Sequence, residues 1–168
     1  AEAPGQSKDK LTARISETAK ALWVVYLSLT VSCALAYWLA GMSFFDAISH
    51  AFTTIATAGF STHDASFQHW DSAMIDWVAV VFMFLGGTSF ALHFVAWRRL
   101  NPAAYLRDVE WSFYLRVAAF LILLLTVYLW WRGTYGSFLD SLRYSAFNFI
   151  SVMTTTGYMN AEFHLWPG

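Results

Sequence analysis

Three stretches of this chain carry no charged side chain, and each approaches the thickness of a bilayer. Residues 21–45, 77–97 and 117–131 contain no Asp, Glu, Lys or Arg. A hydrocarbon core of about 30 Å needs roughly 20 mostly apolar helical residues. The first two stretches meet this outright, and the third meets it if Arg116 snorkels to the interface. The rest of the composition agrees. Only 12% of the 168 residues are charged and 58% are hydrophobic, against about 25% charged in ordinary soluble domains. That excludes intrinsic disorder and leaves too few ions to coat a globular surface. The net charge of −1 gives no basic face for nucleic acid, and the single cysteine, Cys33, excludes an intrachain disulfide or a cysteine zinc cluster. The fold class expected is all-α integral membrane.

The few cations orient the spans. Lys8, Lys10, Arg14 and Lys20 precede the first, and Arg98, Arg99, Arg107 and Arg116 follow the second. Residues 46–76 hold no Lys or Arg, and only Arg132 and Arg143 follow the third span. The positive-inside rule then predicts a cytoplasmic N-terminus and 98–112 loop, with 46–76 and 132–168 outside. Trp38, Trp70, Trp77, Trp97, Trp111, Trp130 and Trp131 lie near span ends, as an aromatic belt does.

The outer segments are not ordinary loops. Residues 46–55 suit a helix of only about 15 Å, too short to span and too apolar for water. A re-entrant half-helix satisfies both constraints, since irregular backbone at membrane depth survives only when buried in protein or lining a cavity. The pattern recurs 98 residues later. SHAFTTIATAGF (49–60) lies over FNFISVMTTTGY (147–158), so Thr57 meets Thr155, Gly59 meets Gly157, Phe60 meets Tyr158 and Asp64 meets Glu162.

Thr-x-Gly-aromatic after a short helix suits a cation path. A dehydrated potassium ion needs oxygens in place of its water shell, and backbone carbonyls supply them when successive residues face one way. Glycine reaches the required angles without steric penalty, and the negative end of the preceding helix dipole favours a cation. The competing reading is a glycine-capped half-helix that binds no ion.

Here the residues carry a resemblance. FDAISHAFTTIATAGFSTHDASF followed by VAVVFMFLGGTSFALHF resembles the second repeat of Trk-type potassium-uptake membrane subunits, of the Trk/Ktr/HKT superfamily. FNFISVMTTTGYMNAEFHLWPG resembles the pore loop of the third. The resemblance implies outer helix–re-entrant pore loop–inner helix repeats of potassium-channel-like architecture, four to a chain. On that pattern residues 1–20 are a cytoplasmic segment. Residues 21–97 form one complete repeat, with outer helix 21–43, pore loop 44–70 and inner helix 72–97. Residues 98–112 form a cytoplasmic loop, and 113–168 a partial repeat, with outer helix 113–132, pore loop 138–168 and no inner helix. The chain reads as a fragment, beginning at Ala1 rather than methionine. The implied potassium ligands are carbonyls of Ala56, Thr57, Ala58, Gly59 and Phe60, and of Thr154, Thr155, Thr156, Gly157 and Tyr158. The resemblance implies glycine at position 58 in many relatives, where this chain has Ala58. The resemblance further implies potassium uptake through a multi-pass protein of the bacterial inner membrane. Its implied partners are lipid, the remaining repeats, a second copy and a cytoplasmic nucleotide-binding regulatory subunit, with no cofactor and no nucleic acid.

Other residues admit two readings. Asp64, Asp71 and Asp76, with Glu162 matching Asp64, suit an acidic outer vestibule or an ordinary solvated loop with helix-start carboxylates. His63, Asp64 and His69 allow an intramembrane metal enzyme, although their spacing is not that of a helical zinc protease and no transition metal is expected; His50, His93 and His164 lie apart in sequence. A membrane assembly protein with inert loops is the third class. Gly86-Gly87 suits close helix packing in preference to a gating hinge.

Overall fold

The computed structural model describes residues 8–98, 100–163 and 166. Arg99 and His164, and the side chains of Lys8, Lys10 and Arg14, lie outside the described residues. The described residues are helical with irregular connections. In order they form α1 (Lys8–Leu39), α2 (Phe44–Ile55), a 3-10 turn (Ser66–His69), α3 (Ala73–Gly86), α4 (Phe90–Arg98), α5 (Ala103–Arg107), α6 (Val109–Trp131) and α7 (Phe138–Met153). Among the described residues two helices are long and apolar enough to cross a membrane, α1 over Ile15–Leu39 and α6, and the bent pair α3 and α4 makes a third if counted as one span.

Local chemistry sets the ends. α1 stops before Gly41, whose φ of +109° lets the Met42 N–H reach back to the Tyr37 carbonyl at 3.1 Å. α6 stops the same way, with Gly133 at φ +69° and the Thr134 N–H on the Leu129 carbonyl at 3.1 Å. The outer helix expected over 21–43 therefore starts earlier and ends earlier. α2 and α7, the short helices that follow the two long ones, each begin with a serine cap. Ser43 accepts the Asp46 N–H and donates to the Asp46 carboxylate at 2.6 Å; Ser137 does both to Asp140, at 2.8 Å for the carboxylate. Such a cap contributes about 1 kcal/mol. Asp108 caps α6 through the Trp111 N–H, so helix begins inside the 98–112 segment expected to be loop, where α5 also lies.

The inner helix expected over 72–97 is two helices meeting at 93°. Gly86-Gly87 provides no side chain to hold the turn together, and the Thr88 hydroxyl donates to the Phe84 carbonyl at 2.9 Å, competing for the helical ladder. His93 fixes the bend. Its Nε2 donates to the Leu85 carbonyl at 3.0 Å, and its Nδ1 accepts from the Tyr105 hydroxyl at 2.7 Å.

α1 packs on α2, α6 on α7, and α3 against both short helices. Tyr37, Phe67, Phe147, Tyr158 and Met83 are buried where these elements meet. Trp23, Leu35, Phe120 and Leu124 on α1 and α6 are exposed, an apolar surface that suits lipid.

Candidate functional site

The segments that follow α2 and α7 share one backbone design. After α2, the N–H groups of Ala56, Thr57 and Ala58 donate to the carbonyls of Phe52, Thr54 and Thr53 at 3.0, 3.1 and 2.8 Å. After α7, Thr154, Thr155 and Thr156 donate to Ile150, Val152 and Ser151 at 2.9, 3.0 and 2.8 Å. The partners correspond pair by pair at the 98-residue offset. The dihedrals repeat too: Thr57 has φ +49° and Gly59 φ +69°, Thr155 φ +58° and Gly157 φ +88°, while Ala58 and Thr156 between them do not have positive φ. A threonine in the left-handed region is a rare, strained state. Holding one costs about 1–3 kcal/mol, and such states gather at functional sites.

The two loops abut. A Cβ built on Gly59 would lie 1.8 Å from the Thr156 carbonyl oxygen, so only glycine permits this approach. Along the second loop Thr154, Thr156, Tyr158 and Asn160 are buried, while Thr155, Gly157 and Met159 are exposed. The buried Tyr158 hydroxyl reaches into α2, bonding the hydroxyls of Thr53 and Thr54 and donating to the His50 carbonyl at 3.3 Å. The Tyr37 hydroxyl of α1 also bonds that of Thr54, at 2.9 Å. Phe60, the counterpart of Tyr158, is 75% exposed against 1%. Below the loops, a Cβ on Gly86 would meet the Ile55 carbonyl at 3.0 Å, and one on Gly87 the Thr154 methyl at 2.8 Å. The glycine pair therefore packs tightly against the ends of both short helices and also marks the helix break.

A family model described as "Cation transport protein", TrkH, matches residues 2–158. The chain belongs to the TrkH family. It is 49% identical over 168 residues to the Trk system potassium uptake protein TrkH of Halomonas elongata, covering 99% of this chain and 35% of that protein. It is 42% identical over 168 residues to TrkH of Escherichia coli K12, again covering 99% and 35%. The crystal structure of the potassium transporter TrkH from Vibrio parahaemolyticus superposes with a TM-score of 0.88 at 44% identity, covering 92% of this chain and 33% of that one. The chain thus spans about a third of the length of these TrkH proteins.

The acids divide. Asp64 and Glu162 are exposed. Asp76, read above as a vestibule carboxylate, is instead 1% exposed. Its Oδ2 accepts from Arg143 Nε and from Asn160 Nδ2, both at 2.7 Å. Arg143 also pairs with Asp71 at 3.1 Å. Both carboxylates face a cation already in place, which removes Asp76 from any open vestibule. Asp46 holds its charge differently: hydrogen bonds from Ser43 and Thr62 keep its carboxyl below the usual range.

The histidines do not converge with Asp64. His63 and His69 stack face to face, with centroids 3.7 Å apart and 7° between planes, and His63 Nε2 lies 3.5 Å from Asp46. Among the described residues no group of three His, Cys, Asp or Glu is placed to hold a metal ion. The matched caps have a signal in the sequence as well, Ser-Phe-Phe-Asp (43–46) and Ser-Phe-Leu-Asp (137–140).

Proposed function

We propose that this chain supplies two strands of a potassium selectivity filter in a Trk-type uptake transporter. The observation that carries the reading is the repeated backbone of Thr57–Gly59 and Thr155–Gly157, positive φ at the first and third positions in both copies, with Gly59 seated on the Thr156 carbonyl. Alternating backbone handedness turns successive carbonyls toward a common side, as a dehydrated cation requires. The C-terminal ends of α2 and α7 add the negative ends of two helix dipoles. The names of the TrkH relatives, potassium uptake proteins, support the choice of cation.

In this account the carbonyls of Ala56 to Phe60 and Thr154 to Gly157 line one half of a ring, as two of four helix–re-entrant loop–helix units, while the Tyr158 carbonyl, expected from the sequence to join them, accepts the Ser151 hydroxyl of α7 at 2.7 Å instead. Phe60, exposed here, meets the pore helix of another unit as Tyr158 meets α2. Asp64 and Glu162 stand at the outer mouth. The protein resides in a bacterial inner membrane with its N-terminus in the cytoplasm. It pairs with a second copy and a cytoplasmic nucleotide-binding regulatory subunit, and it needs no cofactor and performs no covalent chemistry.

The test is rubidium and sodium uptake by cells expressing the full-length protein that contains these residues. Gly59→Ser and Gly157→Ser, compared with wild type at matched membrane abundance, should each lower the rubidium-over-sodium ratio. Unchanged ratios in both variants would overturn the proposal.

A further inference from the structure

One position in each short helix makes the same pair of contacts with different chemistry. His50 of α2 is 0% exposed and Asn148 of α7 is 4% exposed, and they correspond at the 98-residue offset. His50 Nδ1 bonds the carbonyl of Asp46, four residues back, at 2.8 Å. A carbonyl can only accept, so Nδ1 carries the proton, and Nε2 of the neutral ring accepts from the Ser61 hydroxyl at 2.9 Å. Ser61 follows directly on Phe60, and its oxygen also accepts the His63 N–H at 3.2 Å. In the second copy Asn148 Nδ2 donates to the carbonyl of Tyr144, again four back, at 2.9 Å, and to the Asn160 side chain at 2.7 Å. Asn160 lies two residues past Tyr158. Its amide continues to Asp76, and so to Arg143.

We propose that His50 and Asn148 are matched positioning residues. Each is anchored to its own helix by the bond to the i−4 carbonyl. With its second polar contact each holds a residue one or two places beyond the Thr-x-Gly-aromatic loop, and so fixes the outer end of that loop relative to the helix dipole beneath it. This rests on the filter reading above. A loop pinned at its inner end by the helix and at its outer end by this latch resists contraction around a smaller cation. Without the latch, the outer carbonyls can close in and sodium is accommodated.

The two bonds of His50 can be separated. In His50→Asn the amide nitrogen overlays Nδ1, keeping the Asp46 bond and losing Ser61. In His50→Gln the amide overlays Nε2, keeping a partner for Ser61 and losing the helix anchor. The measurement is the rubidium-over-sodium uptake ratio of the full-length protein, at matched membrane abundance. His50→Asn and Ser61→Ala should each lower the ratio about three- to tenfold, the range of one net hydrogen bond. The double variant should be no worse than either alone, and His50→Gln, which keeps the Ser61 contact, should lower the ratio less than His50→Asn. Asn160→Ala should lower it through the second loop. A mere packing role for His50 would make Asn and Gln equivalent and leave Ser61→Ala silent, which overturns the proposal. If those variants are silent while Gly59→Ser and Gly157→Ser still alter the ratio, the latch fails and the filter reading stands. If the glycine variants are silent as well, the filter reading fails first.

Discussion

Two glycines with the same backbone angle make a controlled experiment. Gly59 and Gly133 both have φ +69°. Replacing either by alanine places a Cβ in the left-handed region, at about 1–2 kcal/mol. At Gly133 nothing lies within 4 Å of that Cβ, so strain is the entire effect. At Gly59 the Cβ lands 1.8 Å from the Thr156 carbonyl oxygen, and ordinary contact begins at 3.4 Å. The second loop must therefore retreat by the difference, about 1.6 Å. The obstacle is backbone, which no rotamer change can clear, so overpacking adds about 1–3 kcal/mol. Gly59→Ala should thus cost about 2–5 kcal/mol in total. The assays are thermal unfolding of the purified full-length protein and its rubidium-over-sodium uptake ratio. Gly133→Ala should lower the melting temperature modestly and leave the ratio intact. Gly59→Ala should lower the melting temperature further and collapse the ratio. Equal behaviour of the two variants in both assays would refute the claimed approach of the loops.

Two further outcomes follow from the packing around the site. Tyr158→Phe keeps the buried ring and removes the hydroxyl that ties the second loop to Thr53, Thr54 and His50. It should cost about 1–2 kcal/mol and reduce the uptake ratio, and a ratio equal to wild type would show that the tether is dispensable. Arg143→Leu leaves Asp76 buried without its cation and should cost about 3–5 kcal/mol in thermal unfolding. Adding Asp76→Asn should recover most of that loss, and a double variant as unstable as the single would place the role of Arg143 elsewhere.

The readable parts of this molecule are those with a short-range physical signature. Charge-free runs locate α1, α6 and the α3–α4 pair because lipid excludes ions regardless of tertiary context. The two loops are readable because positive φ at Gly59 and Gly157 asks for glycine locally. The capping serines, Ser43 and Ser137, were equally readable. What sequence reasoning could not reach depends on residues far apart in the chain. The burial of Asp76 follows from Arg143 and Asn160, 67 and 84 residues away, so an acid that looks solvated in sequence is neutralised in the fold. The Gly86-Gly87 pair suggested packing, and it does pack, yet the 93° bend also depends on His93 bridging Leu85 and Tyr105. The anchoring of Tyr158 in α2 spans 104 and 105 residues, which no local pattern encodes.

The most direct test of the central claim is anomalous diffraction from crystals of the full-length protein grown with rubidium in place of potassium. The account predicts a rubidium peak beside the loops, flanked on one side by backbone oxygens of residues 56–60 and 154–157. Data with no peak between these segments, or with the ion held at the His63–His69 stack instead, would contradict it.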